Sequence, residues 1–142
     1  MSSELNRILA LDYGSVRIGL AISDPLKIIA QGLKTIRNGP DADSEIAKVI
    51  SENNVSAVVV GKPLNLSGSE SSKSVEVDAF VKRLKSRTTA DIIMIDERFT
   101  SVMAQKAIRS MGAKKKQRQD KGKVDEVASA ILLQGYLDSL KR

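Results

Sequence analysis

The chain has 142 residues, 42% of them hydrophobic and 28% charged, the balance of an ordinary globular domain with enough length to bury a core. It contains no cysteine and no histidine, which removes disulfide frameworks, Cys/His zinc sites, thiol nucleophiles and Ser-His-Asp triads. Net charge is +6, and residues 114–123 (KKKQRQDKGK) alone hold six basic residues against one acid, so nearly all the excess is local.

In chain order, Arg7 to Asp12 and Arg17 to Ser23 are apolar runs of strand length, joined by a four-residue link, Tyr13 to Val16, that contains a glycine. After the turn at Asp24-Pro25, Ile28 to Ile36 is expected as a third strand, completing an antiparallel meander. Asp41 to Asn54 carries Ala42, Ile46, Val49 and Ile50 at helical spacing, with Asp41 or Asp43 able to cap its first turn. Ser56 to Val60 is a β-branched run typical of a buried parallel strand, and residues 61–68 are expected as a loop. Val75, Phe80, Val81 and Leu84 mark a helix from near Ser69 to before Thr88; Asp91 to Asp96 is a further buried strand. A helix is expected from a Thr100 or Ser101 cap to Met111, where Gly112 can supply the C-terminal turn. The last helix is expected from Val124 to Leu140, with Val124, Val127, Ala128, Ile131 and Gly135 on one face. The order predicts an α/β fold: a mixed five-stranded sheet, three antiparallel strands followed by parallel αβ units, flanked by helices. One domain over residues 1–142 is expected. No apolar run approaches a membrane span, the N-terminal residues lack a signal-peptide layout, and a cytoplasmic location is the expectation.

Three acids close or open core elements: Asp12 ends the first strand, Glu97 follows the last strand, and Asp125 opens the last helix. Brought together they repel one another unless cations neutralise them. Oxygen ligands suit Mg²⁺ or Mn²⁺, and two such ions roughly 3.5–4 Å apart would activate a water at phosphorus and stabilise the leaving 3′ oxygen. That chemistry needs neither histidine nor cysteine. Each acid also has a plainer role: Asp12 as a turn former, Glu97 as a partner of Arg98 or a lysine, Asp125 as a complement to the helix dipole. Asp24, Asp96 and Glu126 are rival acids, with Glu126 on the polar side of its helix. The basic segment (Lys114, Lys115, Lys116, Arg118, Lys121, Lys123) reads either as a contact for phosphate backbones or as a solvated loop. Lys62, Asn65 and Arg98 are further candidate nucleic-acid contacts. The segment from Gly61 to Gly68 lacks the lysine of a Walker loop. Of four aromatics, Tyr13 and Phe99 flank two of the acids, where one can stack on a nucleotide or serve the core.

Several motifs together resemble the YqgF (RuvX) family: ILALDYG at 8–14 with RIGLAISD at 17–24, VGKPLN at 60–65 with Gly68, DERFTS at 96–101 and DEVASAILLQ at 125–134. The resemblance runs from Arg7 to about Leu140. It implies a ribonuclease H-like fold, an acidic metal cluster of Asp12, Glu97 and Asp125 holding one or two ions, and a nuclease role. For that family the implied substrate is the 5′ end of pre-16S rRNA, with ribosome-assembly contacts; an older reading is Holliday-junction resolution. A non-catalytic RNA-binding processing factor is the alternative of another class. An actin-like ATPase, suggested by Asp12-Tyr13-Gly14, would lack a second lobe to close on a nucleotide. Fold alone does not select among these.

Overall fold

The computed structural model describes residues 6–62, 71–96 and 121–140, with side chains of the last segment described from Glu126. Strands β1 (Arg7–Tyr13), β2 (Arg17–Ser23) and β3 (Ala30–Arg37) form an antiparallel meander. Helix α1 (Ala42–Glu52) leads to β4 (Val55–Lys62), helix α2 (Ser72–Lys85) to β5 (Asp91–Asp96), and helix α3 (Lys121–Ser139) follows. The sheet order is β3-β2-β1-β4-β5, with β4 parallel to both β1 and β5. The mixed five-stranded sheet expected from the sequence is thus the observed one, and β1 occupies its centre between β2 and β4.

Strand alternation divides the core into two layers. Leu9, Leu11 and Tyr13 of β1 join Val58 and Val60 beneath α1 and α2. Ile8, Ala10, Ala21 and Val59 face the other way and pack against Leu132, Leu133 and Leu137 of α3. β1 and β4 are buried on both faces, which is why they read as unbroken apolar runs. Full burial of each such Leu, Ile or Val contributes about 1.5–3 kcal/mol. Among the described residues no helix is long and apolar enough to cross a membrane.

Several boundaries move. Tyr13 stays in β1, so the first hairpin link is three residues, 14–16. Its Gly14 lies so close that a Cβ there would meet the Arg17 carbonyl oxygen at 2.6 Å. β3 begins at Ala30, and Ile28 and Ile29 lie in the preceding loop, 44% and 61% exposed. Asp24 organises that loop by accepting the N–H groups of Ile28 and Ile29, both at 2.8 Å, while Lys27 takes φ 60°. Those local bonds outcompete strand pairing. β4 runs on through Gly61 and Lys62, where the sequence suggests a loop, because β5 continues to pair with it there. β5 is an edge strand and only half-buried, not the buried strand expected.

The helices also differ in detail. In α1 all four expected apolar positions are buried, but neither aspartate caps it through a side chain: Asp41 makes no such bond and Asp43 turns inward to Arg87. α2 starts at Ser72 with a reciprocal cap, the Ser74 N–H donating to Ser71 Oγ (3.0 Å) and the Ser71 N–H to Ser74 Oγ (2.8 Å). Val77, not Val75, carries its apolar stripe, and Val75 is 60% exposed. α3 begins at Lys121, so the end of the basic segment is helical. Its buried face is Ala128, Ser129, Leu132, Leu133 and Leu137; Gly135, expected on that face, is exposed. The helix expected at 100–111 lies outside the described residues.

Arg87 Nε donates to Asp43 Oδ2 at 2.7 Å, joining the end of α2 to the start of α1. This bond holds the Asp43 carboxyl below its ordinary value, against burial, which raises it. With the folded value below the unfolded one, the stabilisation is fully present above about pH 4 and is lost as pH falls through the folded value. Arg87→Ala should therefore cost about 1 kcal/mol at pH 7, modest because the guanidinium is half exposed. The deficit relative to the parent should shrink towards pH 3, as read from urea midpoints at the two pH values.

Candidate functional site

Asp12 lies one residue before the carboxyl end of the central strand β1 and is half-buried. Alternation from Ile8 and Ala10 puts it on the α3 face of the sheet. Its partner on β2 is Gly19. On the other side the β1–β4 register pairs Leu11 with Val60, so one residue further Asp12 stands beside Gly61. Both cross-strand neighbours lack a side chain, and both glycines are themselves buried. The half-buried Asp12 carboxylate is a hard oxygen donor of the kind that suits Mg²⁺ or Mn²⁺. The glycines were visible in the sequence, but their position beside Asp12 follows only from sheet order.

Helix α3 crosses this face with its N-terminal end over the carboxyl end of β1. Ser129 Oγ donates to the Ala10 carbonyl at 3.0 Å, with Ser129 fully buried. Glu126 packs over Gly32 of β3, where an added Cβ would meet the Glu126 Cβ at 3.2 Å. Glu126, expected on the solvent side, is therefore partly enclosed against the sheet. At the far end Gln134 accepts the Ala30 N–H at 2.8 Å and donates to the Ile28 carbonyl at 2.9 Å. Position 125 lies one helical turn before Ser129, on the same flank of the helix.

β5 ends at Asp96, level with Lys62 at the end of β4, so the carboxyl ends of β1, β4 and β5 share one end of the sheet. Ligands of α/β folds bind outside these strand ends. Ile95 packs towards α3, whereas alternation turns Asp96 to the opposite face. Asp24 lies at the other end of the sheet, its carboxyl lowered by the backbone bonds from Ile29 and Ile28 that close the loop. The rivals Asp24 and Asp96 are thereby separated from Asp12.

Lys62 also points to the α2 face, where it pairs with Asp78 at 3.3 Å. Tyr13 is 7% exposed, packs on Phe80 with ring centroids 5.2 Å apart, and reaches Glu76 Oε1 with its hydroxyl at 3.4 Å, so it serves the core. Glu97, Arg98, Phe99, Asn65, Lys114, Lys115, Lys116 and Arg118 lie outside the described residues. Lys121, Lys123 and Asp125 are helical, with undescribed side chains. Among the described residues no three acids gather around one point. A surface cleft lined by Asn54, Lys85, Arg87 and several hydroxyls sits at the amino ends of β4 and β5, away from Asp12, and holds no acid.

The chain matches known proteins over nearly its whole length. A protein from Parabacteroides distasonis named "Putative pre-16S rRNA nuclease" is 47% identical over 141 residues, covering 96% of this chain and 98% of its own. One of the same name from Phocaeicola vulgatus is 41% identical, covering 96% and 99%. Among solved structures, Thermus thermophilus RuvC in complex with a Holliday junction superposes with a TM-score of 0.58 at 13% identity, covering 95% of this chain and 96% of that one. The fowlpox virus resolvase with its Holliday junction DNA gives 0.57 at 17%, covering 96% and 99%. At these identities the two structures establish a shared fold, the ribonuclease H-like arrangement of resolvases. The family model described as RuvX, Holliday junction resolvase, matches residues 6–139, and the chain belongs to the RuvX family.

Proposed function

We propose that this chain is a Mg²⁺- or Mn²⁺-dependent endonuclease that trims the 5′ end of pre-16S rRNA in the cytoplasm, working as one domain over residues 1–142. The observation that carries this reading is the half-buried Asp12 at the carboxyl end of β1, flanked by Gly19 and Gly61, under the first turns of α3. Asp12, Glu97 and Asp125 would hold one or two ions. When bound, a divalent ion lowers the pKa of a water and stabilises the departing oxygen. Asp12 contributes the fixed charge at the carboxyl end of the central strand. Asn65, Arg98 and the basic segment would neutralise neighbouring phosphates, whereas Lys62, on the opposite face and paired with Asp78, would not; ribosome-assembly contacts would extend that surface. The relatives' names favour RNA. The family model's description favours a DNA junction as the second reading.

The test presents a 5′-extended pre-16S rRNA fragment and a four-way DNA junction to the purified chain at one salt concentration, with Mg²⁺, Mn²⁺ and Ca²⁺ compared. The expected result is rRNA cleavage with Mg²⁺ or Mn²⁺ and little turnover with Ca²⁺, whose coordination is looser. Cleavage of the junction alone moves the substrate to DNA. Binding without cleavage in every metal overturns the enzyme reading in favour of a processing factor.

Affinity carries a separate expectation. Replacing the six cations of 114–123 by glutamine should flatten the dependence of log K on log salt by roughly 0.7–0.9 for each phosphate that is no longer neutralised. An unchanged slope assigns the segment to solubility alone.

A further inference from the structure

The sheet beneath the start of α3 is built small. Ala10 pairs with Ala21, and Ala21 with Gly32, forming a row of short side chains across β1, β2 and β3. The row lets the helix approach closely enough for Ser129 to reach a main-chain oxygen of the central strand. A serine inside a helix commonly bonds back to the carbonyl four residues earlier, here that of Asp125. Ser129 instead spends its hydroxyl on Ala10, at 3.0 Å, where it has no exposure to solvent.

The spacing gives this bond a consequence. Four residues of helix rise about 6 Å, and two residues of strand rise about 6.6 Å. With Ser129 held over Ala10, position 125 falls over Asp12. The apolar packing of Leu132, Leu133 and Leu137 is non-directional and would tolerate a slide along the sheet. Among the described residues Ser129 supplies a directional bond between α3 and β1, while Gln134 ties down the far end. We infer that Ser129 is a positioning residue, whose bond to the Ala10 carbonyl sets the height of Asp125 over Asp12 and so the affinity of the site for a divalent cation. The inference rests on the metal-dependent reading above.

Mn²⁺ titration by calorimetry on the full chain tests it, with thermal melting in the absence of Mn²⁺ as the control for folding. Groups that orient metal ligands cost about 10–100-fold in affinity when removed, so Ser129→Ala should weaken Mn²⁺ binding at least about tenfold. Its metal-free melting should change little, since alanine favours the helix. Leu133→Ala opens a cavity where the same helix packs on the sheet and should lower the melting temperature more, yet leave Mn²⁺ affinity near the parent's. Unchanged affinity in Ser129→Ala overturns the inference, as does an equal loss in Leu133→Ala, which would reduce the serine to general packing. A parent chain that binds no Mn²⁺ overturns the metal reading itself, and the inference with it.

Discussion

Asp12→Asn is expected to lower single-turnover cleavage by at least about a hundredfold while the chain still folds and binds nucleic acid. The change is nearly isosteric and removes one negative charge from a half-buried position. Orienting groups around a metal are worth about 10–100-fold, and a direct ligand should exceed them. Neither Gly19 nor Gly61 can supply a replacement donor from the adjacent strands. The stability cost should stay under about 1 kcal/mol, because the substitution creates no cavity. Cleavage at the parent rate would remove Asp12 from the mechanism and leave it a turn-forming residue. Lost cleavage accompanied by lost nucleic-acid binding would give it a role in substrate retention rather than chemistry.

Phe80→Ala should lower stability by about 3–5 kcal/mol. Phe80 is 1% exposed and is the largest fully buried side chain of the described core. It packs against Tyr13 at an interplanar angle of 49°, and the Arg83 guanidinium lies 5.6 Å from its ring centre. An aromatic pair adds about 0.5–1.5 kcal/mol beyond area, so the loss should fall in the upper part of the range. For a domain of this size it corresponds to a drop of about 10–20 °C in melting temperature. Phe80→Leu, which refills most of the volume, should cost much less. A Phe80→Ala loss below about 1 kcal/mol would show that α2 collapses onto the vacated space.

Sequence patterning located the elements whose burial is periodic. The four apolar positions of α1 are all buried, and β1, β2 and β4 read directly as strands because both faces of the sheet are covered. It failed where local hydrogen bonding competes with pattern. Ile28 and Ile29 look like strand residues, yet Asp24 captures their amides. Asp43 looks like a cap, yet Arg87, distant in sequence, offers a charged partner. Val77 stands three, four and seven residues before Phe80, Val81 and Leu84 and so shares their face, whereas Val75 lies on the opposite side of α2, a distinction the helical period itself carries.

For the candidate site the division is physical. Residue identity alone established a chain with no thiol or imidazole chemistry, an aspartate near the end of an apolar strand, and motifs that carry the family resemblance, because these depend only on which side chains are present and in what order. Sheet order decided the rest. It set Gly19 and Gly61 beside Asp12, turned Lys62 and Asp96 to the opposite face, sent Asp24 to the far end, and docked Ser129 on Ala10. Each of these arrangements joins residues remote in the chain, and such neighbours meet only once the strands have paired.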